Sequence, residues 1–426
     1  MGRQVFKTQR TRARTRRSSC LGVVMCCAIL ALAGWAAPLA AAGPPAPDVV
    51  HASTGLTTAS PAWVAQSTAS QLGAATHDDE LYGISCIKGK GCLAVGKWFD
   101  AKTKTTNALA EVRTGTTWAL NNPPAPAGST ITAINGVSCV ATPSAVCLVV
   151  GQWGSLSGSY NYAALWDWSG WKLLDPPDAP SSTLDQLNAV ACVSSVYCVA
   201  TGHFAGGTAS GGQPESLVWD GSTWALKTVP IPSQATTAWL YGVSCPSTSF
   251  CFAVGDYTIV TPHQPTLAET WNGTAWTVRP AQSTNQSNAL ASASCVSTTL
   301  CEAVGNSLSP KLAFSSLAGS LLGKSFHLQA SPNSGPKVTG DLRGVSCLSS
   351  KFCMAVGNMS AVWNGTSWSS EAFPQASPIL SIAYAVSCTS KTSCTSVGSY
   401  VNGSGGLTLI ANWDGTSWKQ EAAVNP

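Results

Sequence analysis

Seven copies of one cysteine-bearing phrase run through the chain, and this repeat limits the folds that the chain can adopt. The phrase reads L-x-G-V-S-C, a short spacer, and C-x-A-V-G. Its copies span Leu81–Gly96, Ile134–Gly151, Leu187–Gly202, Leu240–Gly255, Leu290–Gly305, Leu342–Gly357 and Ala383–Gly398. The first cysteines of successive copies lie 41 to 53 residues apart. A period of this length indicates stacked structural units that share one continuous core.

A second phrase, W-[DN]-G-[ST]-x-W, follows most copies of the first. It occurs at Trp219–Trp224, Trp271–Trp276, Trp363–Trp368 and Trp413–Trp418, with variants at Arg113–Trp118 and Trp166–Trp171. The fifth copy has lost the phrase, and Phe326 stands where its second Trp is expected. Asn-Gly or Asp-Gly between two apolar runs predicts a hairpin turn, because both residues tolerate positive φ.

Each unit therefore reads as four short strands. The two halves of the cysteine phrase form strands 1 and 2, strand 3 ends at the first Trp, and strand 4 begins at the second. Four-stranded antiparallel units of this length stack radially around a central channel. The sequence predicts an all-β fold over residues 81–426: a seven-bladed β-propeller of four-stranded antiparallel blades.

The paired cysteines sit at the mouth of a hairpin turn, where facing residues come within disulfide reach. This predicts one disulfide in each blade: Cys86 with Cys92, Cys139 with Cys147, Cys192 with Cys198, Cys245 with Cys251, Cys295 with Cys301, Cys347 with Cys353, and Cys388 with Cys394. A metal site is the alternative, but C-x-x-C pairs are missing and the His residues do not follow the repeat. We expect no metal and no cofactor.

The N-terminal region has the features of an export signal. Seven basic residues precede residue 18, and an apolar run then leads to an A-x-A site before Gly43. Residues 1–42 are predicted as a signal peptide, or as a membrane anchor if they stay uncleaved. The product would be secreted or held at the cell surface, where disulfides persist. It would meet a membrane only through an uncleaved N-terminal segment.

Residues 43–80 are rich in Ala, Pro, Ser and Thr and read as a linker, with a possible extra strand near 62–66. That strand would help to close the ring, lie as a loose cap, or belong to an eighth blade. Beyond residue 42 the chain has 16 basic and 19 acidic residues, a net charge of −3, without a basic cluster. This argues against a nucleic-acid partner.

The two phrases resemble those of extracellular β-propellers in the broad Asp-box, sialidase-like and Kelch-like group, over about residues 80–426. Asp220–Trp224 is similar to the Asp-box pattern S-x-D-x-G-x-x-W, with one residue fewer between Asp and Gly. The Gly-Gly pair of Kelch repeats does not recur. The resemblance implies the propeller fold and leaves the activity open, because such folds host many functions.

A sialidase-like hydrolase is the sharpest enzymatic hypothesis that the resemblance suggests, and it would need three converging arginines. Beyond the leader, the chain has Arg113 at a turn, Arg279 on an outer strand and Arg343 on an inner strand. We expect these three not to meet in one pocket. Glu111 and Glu269 would lie on separate blades near the rim, solvated or paired with Lys. The sequence indicates no catalytic residue. It leaves enzymatic activity open, and we do not expect any.

Two sets of residues remain as binding candidates. The repeated tryptophans could stack on sugars, but their positions around a hairpin turn favour cross-strand packing. The residue x in L-x-G-V-S-C varies within a constant frame. We predict that it lies near the mouth of the channel, ringed by long connections between strands 2 and 3 and between strand 4 and the next strand 1, whereas the other face carries only tight turns. The predicted ligand site at this mouth comprises Tyr82, Asn135, Asn188, Tyr241, Arg343 and Tyr384. The alternative is that x packs between blades.

These features predict an extracytoplasmic binding or interaction scaffold without catalytic activity. Its partner would be a protein or glycan of the cell envelope or the exterior. A carbohydrate-binding lectin is the second hypothesis, and a sialidase-like glycoside hydrolase is the third.

Overall fold

The computed structural model describes residues 77–426, apart from residues 156, 208, 261–263, 283–285, 310–312, 333–339, 379 and 404 and the side chains of 209 and 210. The predicted signal peptide or anchor, most of the linker and the possible strand near 62–66 lie outside these residues. Within the described ranges, no helix is long and apolar enough to cross a bilayer.

The described chain forms seven four-stranded antiparallel sheets in chain order, here called blades 1 to 7. Strand 1 of each blade spans Glu80–Ile87, Ile131–Val140, Ser182–Ser194, Thr237–Ser247, Ser287–Ser297, Leu342–Ser349 and Leu380–Ser390. Strand 2 spans Gly91–Asp100, Val146–Ser155, Tyr197–Gly206, Phe250–Thr258, Leu300–Leu308, Phe352–Gly357 and Ser393–Asn402. Strand 3 spans Thr105–Thr114, Gly158–Trp166, Ala209–Trp219, Thr266–Trp271, Phe314–Leu322, Ser360–Trp363 and Gly405–Trp413. Strand 4 spans Thr117–Leu120, Trp171–Leu174, Trp224–Lys227, Trp276–Val278, Ser325–Gln329, Trp368–Glu371 and Trp418–Glu421.

Strand 1 of each blade contacts strand 1 of the next, and strand 1 of blade 7 contacts strand 1 of blade 1. The blades therefore close into a ring around the first strands, which confirms the seven-bladed β-propeller. The core is divided among the interfaces between blades: Leu93 packs with Val149 of the next blade, and Leu81 packs with Val397 across the seam between blades 7 and 1. Burial between blades is the main source of stability in such a ring.

The seven predicted disulfides are all present, one in each blade. Their Cα atoms are 3.9 to 4.1 Å apart. In blade 3, for example, Cys192 and Cys198 face each other directly in the antiparallel register. Each disulfide fastens strand 1 to strand 2 beside their connecting turn.

The serine of the cysteine phrase links each blade to the next. In six of the seven interfaces, its Oγ accepts a hydrogen bond of 2.9 to 3.1 Å from the backbone N–H of the first cysteine in the following blade. The acceptors of this serine ring are Ser85, Ser138, Ser244, Ser294, Ser346 and Ser387. Ser387 bonds with Cys86 and so extends the ring across the seam. In blade 3 the position is Ala191, which has no oxygen to offer Cys245.

The tryptophan phrase forms the turn between strands 3 and 4, as predicted. In blade 3, Asp220 Oδ1 accepts hydrogen bonds from the backbone N–H of Ser222 at 2.8 Å and of Thr223 at 2.7 Å, and Gly221 has φ of 96°. Leu321 and Phe326 face each other at the corresponding places in blade 5. Most of the repeated tryptophans are buried between strands and blades: Trp118, Trp166, Trp219, Trp271, Trp276, Trp363, Trp368, Trp413 and Trp418. Their role in packing is therefore confirmed, and they offer little surface for a sugar.

The two faces of the ring differ. The tight-turn face carries the turns between strands 1 and 2 and between strands 3 and 4, and the loop face carries the other connections. The prediction of long connections between strands 2 and 3 is wrong for most blades: strand 2 ends at Gly206 and strand 3 begins at Ala209 in blade 3, and the bounds are Asn402 and Gly405 in blade 7. Strands 2 and 3 instead continue as hairpin arms, because pairing satisfies their backbone groups. Long connections run from strand 4 to the next strand 1, as at 228–236.

At the seam between blades 7 and 1, a short N-terminal strand adds to the sheet of blade 7. Each blade takes its four strands from one continuous stretch of chain. At the seam, His77–Asp78 pairs in parallel with Gly405 and Gly406 on strand 3 of blade 7. This short strand falls in the predicted linker, and strand 1 begins at Glu80.

Candidate functional site

A β-bulge occurs at position x of strand 1 in all seven blades. The register between strands 1 and 2 shifts there each time, as between Leu81 and Gly83 in blade 1 and between Leu240 and Gly242 in blade 4. The extra residue has no partner on strand 2, and a bulge re-aims the side chain that it carries. Seven copies of this irregularity converge on the same end of the inner strands.

The seven x residues line one cavity of about 190 Å³, here called the channel cavity. They are Tyr82, Asn135, Asn188, Tyr241, Ala291, Arg343 and Tyr384. The structure thus brings together the six predicted ligand residues and adds Ala291. The next residue is small in each blade because the inner strands approach closely: a Cβ on Gly136 would lie 2.9 Å from Cα of Ala189.

Two of the x residues connect blades. Asn135 Nδ2 donates to the Leu187 carbonyl of the next blade at 2.9 Å, and Asn188 Nδ2 donates to the Leu240 carbonyl at 2.7 Å. Asn188 Nδ2 also lies 3.3 Å from Nδ1 of His203, and burial lowers the pKa of this His to about 4. For Asn135 and Asn188, these bonds support the alternative that x holds neighbouring blades together.

The two tyrosines at the seam form one group with a shared carboxylate. The rings of Tyr82 and Tyr384 meet edge to face with centroids 5.4 Å apart. Both hydroxyls donate to Glu80, to different oxygens. Lys97 Nζ lies 3.1 Å from Glu80 Oε2 and 5.9 Å from the centroid of the Tyr82 ring. Fixing the hydroxyls in this way holds the aromatic rings at the cavity wall.

The other polar groups of the wall are also held by carboxylates. The hydroxyl of Tyr241 hydrogen-bonds with Asp256, whose pKa is raised to about 7 mainly by burial, against the lowering effect of this bond. Arg343 Nε donates to Asp341 Oδ2 at 2.7 Å, and its side chain keeps 40% exposure. Asn306 Nδ2 donates to the other Asp341 oxygen at 2.9 Å. A preorganised, partly exposed guanidinium suits recognition of an acceptor group.

Sequence reasoning missed this supporting layer, although a signal for it exists. The residue after the glycine of C-x-A-V-G is polar in every copy: Lys97, Gln152, His203, Asp256, Asn306, Asn358 and Ser399. Several of these side chains hold the x residues in place, as Lys97 does through Glu80. A polar residue that recurs at this one position, next to apolar residues, indicates a polar layer beside the x residues.

The prediction that Glu111 and Glu269 are solvated near the rim is wrong, because both side chains have 0% exposure. They lie on strand 3, opposite Leu120 and Val278 of strand 4. Burial raises the pKa of Glu111 to about 7 and that of Glu269 to about 9. Glu111 Oε2 accepts a bond from the Val424 N–H at 3.1 Å. Neither oxygen of Glu269 has a hydrogen-bond partner among the described atoms.

The three arginines lie at three separate places. Arg343 lines the channel cavity, whereas Arg113 Nη2 pairs with Glu421 on the tight-turn face at 3.2 Å. Arg279 follows strand 4 of blade 4 and donates from Nε to Thr270 Oγ1 at 2.6 Å. This placement does not build the three-arginine clamp that a sialidase requires. In the part of the chain that the structure describes, no three His, Cys, Asp or Glu side chains cluster as metal ligands.

Comparison with known proteins adds similarity of structure only. No protein-family model and no curated protein matches the chain. Similar solved structures include YCF48 from Cyanidioschyzon merolae, with 12% identity, a TM-score of 0.45, and coverage of 78% of this chain and 94% of that one. A structure of YCF48 bound to D1 peptide has 12% identity and a TM-score of 0.41, covering 70% and 83%. Hadza microbial sialidase Hz136 has 10% identity and a TM-score of 0.43, covering 74% and 73%.

Proposed function

We propose that the protein is an extracytoplasmic binding scaffold that holds a ligand at the channel cavity of its loop face. The observation that carries this proposal is the bulge at position x in all seven blades. A bulge interrupts the hydrogen bonds between two strands and leaves one residue unpaired. Such bulges are common beside functional sites. Here all seven lie around one cavity, and x varies in chemistry while its neighbours hardly change.

The dimensions of the cavity limit what it can take. Small-molecule pockets usually measure about 300–1,000 Å³, and the channel cavity is smaller at about 190 Å³. It suits one protruding group of a larger ligand, such as a side chain or a single sugar ring. The Tyr82, Tyr241 and Tyr384 rings offer apolar faces, and Arg343 offers a charged donor. We propose a protein or glycan of the cell envelope or exterior as the partner.

The environment of the protein follows in part from its covalent structure. Seven disulfides form and persist in an oxidising compartment. We propose that residues 1–42 direct export, as a cleaved signal or as a retained anchor. Residues 43–80 would then connect the propeller to this segment. The protein would be secreted or held at the cell surface.

A lectin is the second candidate, and the tyrosines favour it. Aromatic rings beside hydrogen-bonding side chains suit a sugar, which has both apolar C–H faces and hydroxyls. In a lectin of this kind, Tyr241 and the Tyr82–Tyr384 pair would contact the sugar, because the repeated tryptophans are mostly buried.

Glycan and peptide arrays probed with the purified protein test both candidates. Ala291→Trp should block the channel cavity, and Tyr241→Ala should remove one of its walls, so both should abolish specific binding. Tyr160→Ala is the matched control, because Tyr160 packs on Trp153 at 4.7 Å in a hairpin arm outside the cavity. Equal binding by all variants, or no specific binding by the wild type on either array, would contradict the proposal.

A further inference from the structure

Blade 1 departs from the repeat on the tight-turn face, and the departure opens a second cavity. Where other blades have the first Trp of the second phrase, or Leu321 in blade 5, blade 1 has Arg113. The counterparts Trp166, Trp271 and Leu321 are almost fully buried, whereas the Arg113 side chain keeps 23% exposure. Blade 1 also has a Gly-rich basic turn, residues 88–91, with the sequence Lys-Gly-Lys-Gly.

The resulting cavity has a volume of about 290 Å³ and lies between blades 1 and 7. Its wall from blade 1 contains Lys88, Lys90 and Arg113, with backbone exposed at Gly89 and Gly91. Its wall from blade 7 contains four hydroxyl groups, those of Ser387, Thr389, Ser393 and Thr395. We call these residues the basic cavity.

Arg113 is held in place from blade 7. Its Nη2 lies 3.2 Å from Glu421 Oε1, and the other Glu421 oxygen accepts bonds from Trp118 Nε1 at 3.0 Å and from Asn412. Thr395 Oγ1 donates to Asn412 Oδ1 at 2.8 Å. Arg113 Nε is buried without a hydrogen-bond partner among the described atoms. A buried, unsatisfied donor is costly, and its positive charge is not neutralised by a hydrogen bond within the described part of the protein at this atom.

The charges of the cavity favour an anion. The lining contains three cations and no carboxylate, and only Arg113 is paired with an acidic side chain, Glu421 beside the cavity, so the lining carries a net positive charge. Lys90 lines the cavity, and its Nζ lies 4.9 Å from the ring centroid of Trp168 in blade 2. Glycines in a turn let an oxyanion approach the backbone, and arginine suits the geometry of phosphate oxygens.

We propose that the basic cavity binds a phosphate-class oxyanion, either free or as the terminal group of a phosphate monoester. A free ion would fill only part of the cavity, so a monoester with a small polar body should bind more tightly. The cavity lies on the opposite face from the channel cavity. Its occupation is therefore independent of the proposed binding function.

Isothermal titration calorimetry at constant ionic strength tests this with inorganic phosphate, glucose 6-phosphate and glucose as probes. We expect saturable binding of both phosphates, tighter for glucose 6-phosphate, and none of uncharged glucose. Lys88→Gln/Lys90→Gln should weaken binding about tenfold or more, since charge-assisted bonds are lost. The control is Lys351→Gln, a lysine in the corresponding turn of blade 6, which should leave both affinities unchanged.

Arg113→Trp restores the residue of the other blades, fills the cavity and should abolish binding. If this variant does not fold, the double lysine variant decides the question alone. Tyr241→Ala should bind phosphate normally, which separates this site from the channel cavity. An absence of saturable phosphate binding by the wild type would refute the proposal, as would equal affinity in Lys88→Gln/Lys90→Gln.

Discussion

Replacing Ala191 with Ser should complete the serine ring and stabilise the protein. Six equivalent serines accept hydrogen bonds of 2.9 to 3.1 Å from the first cysteine of the next blade. A net intramolecular hydrogen bond contributes about 1 kcal/mol to the free energy of unfolding. We therefore expect Ala191→Ser to raise it by about 1 kcal/mol, because the new Oγ can accept from the Cys245 N–H.

The matched variant is Ser138→Ala, which removes the same bond one interface earlier. It should cost about 1 kcal/mol, and the double variant should return to the stability of the wild type if the two interfaces are independent. Unfolding entropy of about 2.1 cal/mol/K per residue over about 350 residues makes 1 kcal/mol equal to only about 1.4 °C in Tm. Urea unfolding at fixed temperature is thus the better assay. A loss in Ser138→Ala without a gain in Ala191→Ser would show that the Cys245 amide already has a partner, and unchanged stability in both would refute the role of the ring.

Three further changes probe burial, covalent closure and close packing. Burial raises the pKa of Glu269 to about 9. Between the ordinary carboxyl pKa and about 9, the folded state binds this proton more tightly than the unfolded state, so the free energy of unfolding falls as the pH rises through this range. The wild type should unfold in less urea at pH 9 than at pH 5, and Glu269→Gln should reduce this difference; an identical pH dependence would contradict the assignment. Replacing Cys192 and Cys198 together by Ala opens a loop with a sequence separation of 6. The unfolded chain then gains entropy, so the free energy of unfolding in urea should fall by about 2 kcal/mol; unchanged stability would contradict this entropic role of the disulfide. Gly136→Ala places a Cβ 2.9 Å from a neighbouring backbone and should lower the free energy of unfolding in urea by about 1–3 kcal/mol. Gly170→Ala, with nothing within 4 Å, should change it by less than about 0.5 kcal/mol; equal effects would refute the close approach.

The fold was predictable because its determinants are local and repeated. The spacing of Cys192 and Cys198 fixes a hairpin within one blade, and Asp220-Gly221 fixes the next turn. Seven repetitions of such signals leave few alternatives to a ring. The bulge at position x could not be found in the same way, because a bulge is a difference in count between two paired strands. The sequence of strand 1 alone does not contain it.

The error on Glu111 and Glu269 has a similar origin. Glutamates are rarely buried, so residue type alone predicts that both side chains are exposed. Glu269 lies two residues before Trp271 on one strand, so both side chains point to the same face, and that face is buried. The alternation of the strand contained this information. At the channel cavity the sequence predicted the inner layer through the variation of x, but it did not reveal that Glu80 and Asp341 would hold Tyr82 and Arg343 in place.

The seam has a consequence for how the molecule comes apart and reassembles. Consecutive blades are joined by the chain that leaves strand 4 of one blade and enters strand 1 of the next, whereas blade 7 is held to blade 1 by noncovalent contacts. These are the pairing of His77–Asp78 with strand 3 of blade 7 and side-chain contacts such as those of Ser387 with Cys86 and of Arg113 with Glu421. Parting there would turn the closed toroid into an open arc whose two ends, bearing Leu81 and Val397, are complementary to each other. At high concentration, two such arcs would satisfy each other's ends and form an intertwined dimer from the same contacts that normally seal one molecule.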